Sequence, residues 1–150
     1  MKITLEPYRP IDKNELIRVF KSLTPIYFGI HEEVDYSEYL DKFGHEYFTL
    51  RVDDQMAGGV GYSIRSETNS LHIAWILLHP QYFRLGLGRR LVEHCHQAVH
   101  DHEMITHFVA RTSQHGFHFF NNMGYQLKEV TKNYWCEGID LYYMEKNTQV

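Results

Sequence analysis

Arg84-Leu-Gly-Leu-Gly-Arg89 is the stretch of this chain whose residue types and spacing suit chemistry on phosphate. Gly86 and Gly88 let a backbone turn tightly and approach a ligand closely. A helical pattern follows at once, with Leu87, Leu91, Cys95, Ala98 and Val99 on one face. The first N–H groups of such a helix have no partner inside it. With the positive end of the helix dipole and Arg84, Arg89 and Arg90, they suit a pyrophosphate. The dinucleotide fingerprint is excluded, because Leu91 stands where a third glycine is needed, and no Gly-Lys-Ser/Thr follows to make a P-loop. On these residues alone, a tight turn without ligand fits as well as a phosphate cradle.

Four histidines, His94, His96, His100 and His102, raise the question of a metal. His96 and His100 are one helical turn apart, but there is no HExxH pattern and no cysteine pair to complete a site. They read as a solvated helix face, and no metal is expected. Cys95 falls on the apolar face of its helix, and with Cys136 as the only other cysteine there is no disulfide framework.

The elements around the glycine loop follow from hydrophobic period and turn residues. Leu71 to Leu78 is an apolar run that reads as a buried strand, stopped by His79-Pro80. Before it come a short strand at Ile3 to Leu5 and a helix opened by an Asp12/Glu15 capping box, with Leu16, Val19, Phe20 and Leu23 at helical spacing. The segment from Pro25 to Glu33 is too aromatic for a plain solvated loop, and a second helix is expected from Tyr36 to Phe43. Strands at Tyr47 to Val52 and Met56 to Ile64 follow, the second carrying Gly58, Gly59 and Gly61, which mark a bulge or a close backbone approach. Beyond the glycine loop and its helix come a strand at Thr106 to Arg111 and a helix at Gln114 to Met123 with Thr112-Ser113 as its N-cap. A hairpin of Tyr125 to Tyr134 and Ile139 to Glu145 ends the chain.

The 150 residues, 43% hydrophobic and 15% aromatic, are expected to form one domain with a sizeable core. A formal charge of −4 leaves no broad basic surface for nucleic acid. No apolar run approaches membrane-spanning length, the N-terminus lacks a signal-peptide core, and the expected setting is a reducing cytoplasm.

The order strand, Pro, loop with Gly86-Leu-Gly88, helix, strand, helix and the Gly124-Tyr125 pair resembles the GNAT family of acetyl-CoA-dependent N-acetyltransferases over nearly the whole chain. The resemblance implies an α/β (α+β) fold, a mixed and mostly antiparallel sheet of about seven strands with helices on both faces. It also implies that the loop Arg84, Leu85, Gly86, Leu87, Gly88 and Arg89 cups the cofactor pyrophosphate, while Ile76, Leu77 and Leu78 lie along the pantetheine arm. Ser113 and Phe120 are implied cofactor neighbours, Phe120 standing where the family carries a Tyr that protonates the leaving thiolate. That departure leaves Tyr125, Tyr134, Tyr143 or water for the acid role. Phe83 stands three residues before the first glycine, where the family has Gln or Arg. The family's side-chain base sits fourteen residues before Gly86, at His72, and imidazole suits work near neutral pH. On that alignment the acceptor side is formed by Tyr27, Phe28, His31 and Glu32, with Glu33, facing Trp75 and the last hairpin. Acidic groups beside aromatics suit a cationic amine, and the same residues also fit an aromatic core patch with a solvated Glu pair.

The expected function is acetyl transfer from acetyl-CoA to a primary amine of a small molecule or peptide, by direct attack in a ternary complex. The alternative is a non-catalytic CoA-binding sensor or regulatory module, for which Phe120 argues. Neither nucleic acid nor membrane is an expected partner, and the aromatic C-terminal hairpin offers a surface for a homodimer.

Overall fold

A computed structural model describes residues 1–149. Seven strands form one sheet in the order β1-β2-β3-β4-β5-β7-β6. They are β1 (Ile3–Pro7), β2 (Tyr47–Val52), β3 (Gln55–Arg65), β4 (Ser70–Leu78), β5 (His107–Thr112), β6 (Gln126–Cys136) and β7 (Ile139–Asn147). Every neighbouring pair is antiparallel except β4 and β5, which are parallel. The chain between them is the crossover that a parallel pair needs, and it carries helix α3 (Leu87–Gln97). Asp53 and Asp54, both at positive φ, make the tight turn between β2 and β3.

Helices α1 (Lys13–Ser22) and α2 (Glu32–Phe43) cover one face of the sheet, packing Leu16, Phe20, Tyr36 and Leu40 around Tyr47 and Leu77. On the other face α3 and the short α4 (Phe117–Asn122) bury Leu87, Leu91, Cys95 and Phe120 against Leu50, Leu71 and Met144. Residues that alternate along a strand feed both cores, which is why β4 reads as a nearly continuous apolar run.

Several expectations change. Helix α2 begins at Glu32, four residues before Tyr36, and α4 is only six residues long, beginning at Phe117. Ser113 is therefore no N-cap. Its hydroxyl accepts from the His115 N–H (3.2 Å) in a separate turn, and Gly116 occupies the cap position. Asp12 makes no capping bond to α1. Its buried carboxylate accepts instead from the Arg9 N–H (3.0 Å) and the Arg51 guanidinium (3.1 Å).

The feature that matters most for the site is a bulge in β4. Gly59 pairs with Leu77 and Gly61 with Ala74, so Val60 faces two residues, Trp75 and Ile76. The alternation slips there: Leu71 and Ile73 lie against the α3 side, and beyond the bulge so do Ile76 and Leu78, while Trp75 and Leu77 join the opposite core. Trp75 takes φ +46, and its carbonyl accepts from the Tyr47 hydroxyl (2.7 Å), which in turn accepts from Tyr36 (2.9 Å). Tyr47 is fully buried. Tyr47→Phe removes the only side-chain donor on that carbonyl among the described residues and leaves the Tyr36 hydroxyl without its acceptor. A loss of about 1–3 kcal/mol in urea unfolding is expected, and an unchanged midpoint would show that the relay does not hold the bulge.

Candidate active site

The parallel pairing of β4 with β5 covers only Ser70–His72 against His107–Val109. Past His72 the strands part, β4 running on to Leu78 and β5 to Thr112, where β5 stays paired with β7. The edge of β4 from Ile73 to Leu78 is thus open on the β5 side. Its peptide groups in that gap need hydrogen-bonding partners, and an extended ligand running beside the strand can supply them. Ile76, Leu77 and Leu78 all lie in this open segment.

The open edge leads to the glycine loop. After a single turn of 3-10 helix at Pro80–Tyr82, Phe83 extends and packs its ring edge-on against Tyr27 at 5.8 Å. Arg84 (φ +66) and Gly86 (φ +77) are both left-handed, and α3 starts at Leu87. A Cβ on Gly86 would meet nothing within 4 Å, so the space over the loop is open. The first N–H groups of α3 face it, with the exposed side chains of Arg84, Leu85, Arg89 and Arg90 around them. Arg89 also lies 3.8 Å from Glu93 one turn along the helix. Gly88 does something different from what its motif suggests. A Cβ there would sit 2.8 Å from the Phe119 ring, so this glycine serves the close packing of α3 on α4, not the space over a ligand. These features fit the ADP and pantetheine portions of CoA: an open strand edge, unpaired helix donors and cationic side chains at one end.

His72 is the last residue of β4 paired to β5 and is only 7% exposed, so it does not lie on a solvated face. Neither ring nitrogen has a hydrogen-bond partner among the described residues. Burial, reinforced by the nearby charges of Arg65 and Arg111, lowers its pKa to about 4. Arg111 lies directly opposite Tyr143, donates to the Tyr134 hydroxyl (2.7 Å) and stacks over the Tyr134 ring at 5.2 Å. Tyr125, by contrast, is buried on the α3 side with its hydroxyl 2.7 Å from His96 Nε2, and Phe120 is buried beside it.

That pairing also corrects the picture of a solvated histidine face. His96 stacks on Phe108 with centroids 3.9 Å apart, and burial lowers its pKa to about 4. His94 packs edge-on against Phe48. His100 and His102 lie beyond the end of α3 and are exposed. Among the described residues, no three His, Cys, Asp or Glu side chains are placed to hold a metal ion.

Of the residues expected on the acceptor side, Phe28 stacks on Phe20 (4.9 Å) and on Trp75 (5.9 Å) as part of the α1/α2 core. Tyr27 bridges the loops after β4 and β5 by edge contacts to Phe83 and His115. Glu32 is not solvated either. Only 5% exposed, its carboxylate accepts from the Gly29 N–H (2.7 Å), and burial raises its pKa. A cavity of about 660 Å³ lies between the α1–α2 loop and the β6–β7 turn, lined by Ile26, Ile30 and His31 on one side and by His115, Cys136 and Glu137 on the other. Gln114 braces it, donating to the Gly138 carbonyl (2.7 Å) and accepting from the Asp140 N–H (3.0 Å). His115, Cys136 and Glu137 carry no local motif, and only the folding of the hairpin onto the α1–α2 loop reveals them.

Comparison with known proteins agrees with this fold. A GNAT-family protein from Desulfovibrio desulfuricans superimposes with a TM-score of 0.81 at 22% identity, covering 98% of this chain and 99% of that one. The ribosomal-protein-S18-alanine N-acetyltransferase from Escherichia coli gives 0.77 at 16% identity, with 98% and 94% covered. An aminoglycoside 6′-N-acetyltransferase complexed with coenzyme A gives 0.74 at 14% identity, with 99% and 97% covered. No curated protein sequence matches significantly. The family model for the acetyltransferase (GNAT) family matches residues 16–125, from within α1 through the glycine loop to Tyr125. The chain belongs to the GNAT acetyltransferase family.

Proposed function

We propose that this protein is an N-acetyltransferase that uses acetyl-CoA to acetylate a primary amine of a small molecule or peptide, both substrates being bound together. The observation that carries this reading is the parting of β4 from β5 beyond His72, which leaves an open strand edge leading to the α3 N-terminus. The N–H groups after Gly86 bind the pyrophosphate, and the free edge at Ile76 to Leu78 aligns the pantetheine arm. Bound acetyl-CoA supplies an acyl group whose carbon–sulfur bond breaks as the carbon–nitrogen bond to the amine forms. His72 accepts the proton that the amine nitrogen sheds. Phe120, in the core, has no proton to give, and a thiolate whose conjugate acid has a pKa near 8.5 leaves without obligatory protonation.

Direct attack is supported by Cys95, whose fully buried thiol is pushed up to about 12. Cys136, which does line the acceptor cavity, is the residue that puts it to the test. Calorimetry is expected to detect CoA binding, and thiol release from acetyl-CoA is expected with an amine present. Cys136→Ser should keep turnover within about twofold, whereas its loss, or an acetylated Cys136 in mass spectra, would replace direct attack by a two-step transfer. CoA binding without turnover on any amine would instead favour a sensor.

A further inference from the structure

Resting on the transferase reading above, the cavity between the α1–α2 loop and the β6–β7 turn carries a statement about the acceptor itself. We infer that the acceptor is a monoamine with an apolar group beside its nitrogen, and not a polycation. Two observations lead there.

The first is the count of available charge. A polyamine or an aminoglycoside brings several cationic centres, each of which needs a carboxylate or open water to replace its hydration. Among the described residues the cavity presents one carboxylate, Glu137, which is exposed at its rim. Glu32, next in the chain to the lining residue His31, turns its carboxylate back onto the Gly29 N–H and is 5% exposed. Asp140 is likewise engaged, by the Asn133 N–H (2.8 Å) and by Lys132 at 3.7 Å. His31 and His115 add no negative charge to the wall. One ammonium group can be met here before it loses its proton, and a second or third finds no further carboxylate on the cavity lining.

The second is the apolar surface that the same wall leaves in water. Ile26 is 59% exposed and Ile30 71% exposed, and the buried Ile139 lies across from them. Two large aliphatic side chains on adjacent turns of one loop form a face that a substrate's apolar group can cover, with a gain proportional to the area it removes from water. His115 of the cavity wall packs against Tyr27, which also touches Phe83 after β4. An acceptor seated on Ile26 and Ile30 is therefore placed beside the connection that follows the open edge of β4.

The experiment is thiol release at saturating acetyl-CoA with isoamylamine, phenethylamine and a peptide beginning with Ile, set against putrescine, spermidine and kanamycin. The apolar monoamines are expected to exceed the polycations at least about tenfold in kcat/KM, the discrimination that an apolar pocket supplies. Ile30→Asp, at a position too exposed to threaten folding, is expected to lower kcat/KM for the apolar amines about tenfold with CoA affinity unchanged, and to improve the polycations. Higher kcat/KM for polycations, or equal kcat/KM for wild type and Ile30→Asp, overturns the inference while leaving the transferase intact. Heat from CoA binding with no amine turned over overturns both.

Discussion

Gly86→Val is expected to weaken CoA binding at least about a hundredfold in calorimetry. Gly86 holds φ +77 at the residue before α3, and the space beside it is open, so the effect does not come from a clash. It comes from the backbone. A β-branched residue in the left-handed region carries strain of about 1–3 kcal/mol, relieved if the loop rotates out of that conformation. Rotation redirects the first N–H groups of α3, which on the proposed reading would meet the pyrophosphate together only in the present geometry. A hundredfold loss is about 2.8 kcal/mol, which two or three misdirected charge-assisted hydrogen bonds supply. Gly138→Val is the control. Gly138 has φ +86 and equally open surroundings but lies in the β6–β7 turn, so it carries the same backbone penalty without touching the loop. Its affinity for CoA is expected to stay within about twofold of wild type. Equal losses in the two variants would assign the effect to general destabilisation, and no loss in Gly86→Val would remove the loop from cofactor binding.

The two glycines of this loop show where sequence reasoning carries and where it stops. A left-handed residue directly before a helix is a local property, and the Gly-x-Gly spacing with the 87/91/95 apolar stripe is enough to place it. The role of Gly88 is not local. It depends on Phe119, thirty-one residues later, arriving against the same turn of α3. The same division runs through the rest of the molecule. The β4 run, the β2–β3 turn at Asp53-Asp54 and the final hairpin are set by hydrophobic period and turn chemistry. The bulge at Trp75 is invisible in β4 alone, because it exists only relative to Val60 across the ladder. Glu32 illustrates the cost of ignoring such partners. As a type and position it suits an amine-binding carboxylate, yet its bond to the Gly29 N–H at the mouth of α2 uses the charge to hold the loop. The cavity proposed for the acceptor is the least legible of all, since its walls come from three connections distant in sequence.

His72→Gln is expected to lower kcat about a hundredfold at every pH from 6 to 9, with CoA affinity unchanged. A titrating base of ordinary pKa would produce an inflection near 6.5 in the wild-type profile. In this protein burial and the cations Arg65 and Arg111 lower the His72 pKa to about 4, so the ring is already neutral throughout that range and no inflection is expected there. Removing it therefore scales the profile down instead of changing its shape. Direct deprotonation of an alkylammonium of pKa near 10 by such a base is uphill by about 8 kcal/mol, which disfavours a separate first step. On the proposed mechanism the amine is neutral by the time it attacks, having lost its ammonium proton to solvent. The rate would climb with its neutral fraction, and His72 would take the proton as bond formation makes the nitrogen a strong acid. The same shift has a consequence for stability. Between pH 6.5 and about 4 the unfolded chain holds a proton at His72 that the folded one does not, so stability rises with pH across that window and is lost as pH falls through it. For a residue 7% exposed the loss is about 3 kcal/mol, and His96, lowered in the same direction, adds to it. Urea midpoints at pH 4.5 and 7 should accordingly differ less in His72→Gln than in wild type. A wild-type inflection near 6.5, or an unchanged midpoint difference in the variant, would show that His72 titrates normally and return the proton-acceptor role to water or to another side chain.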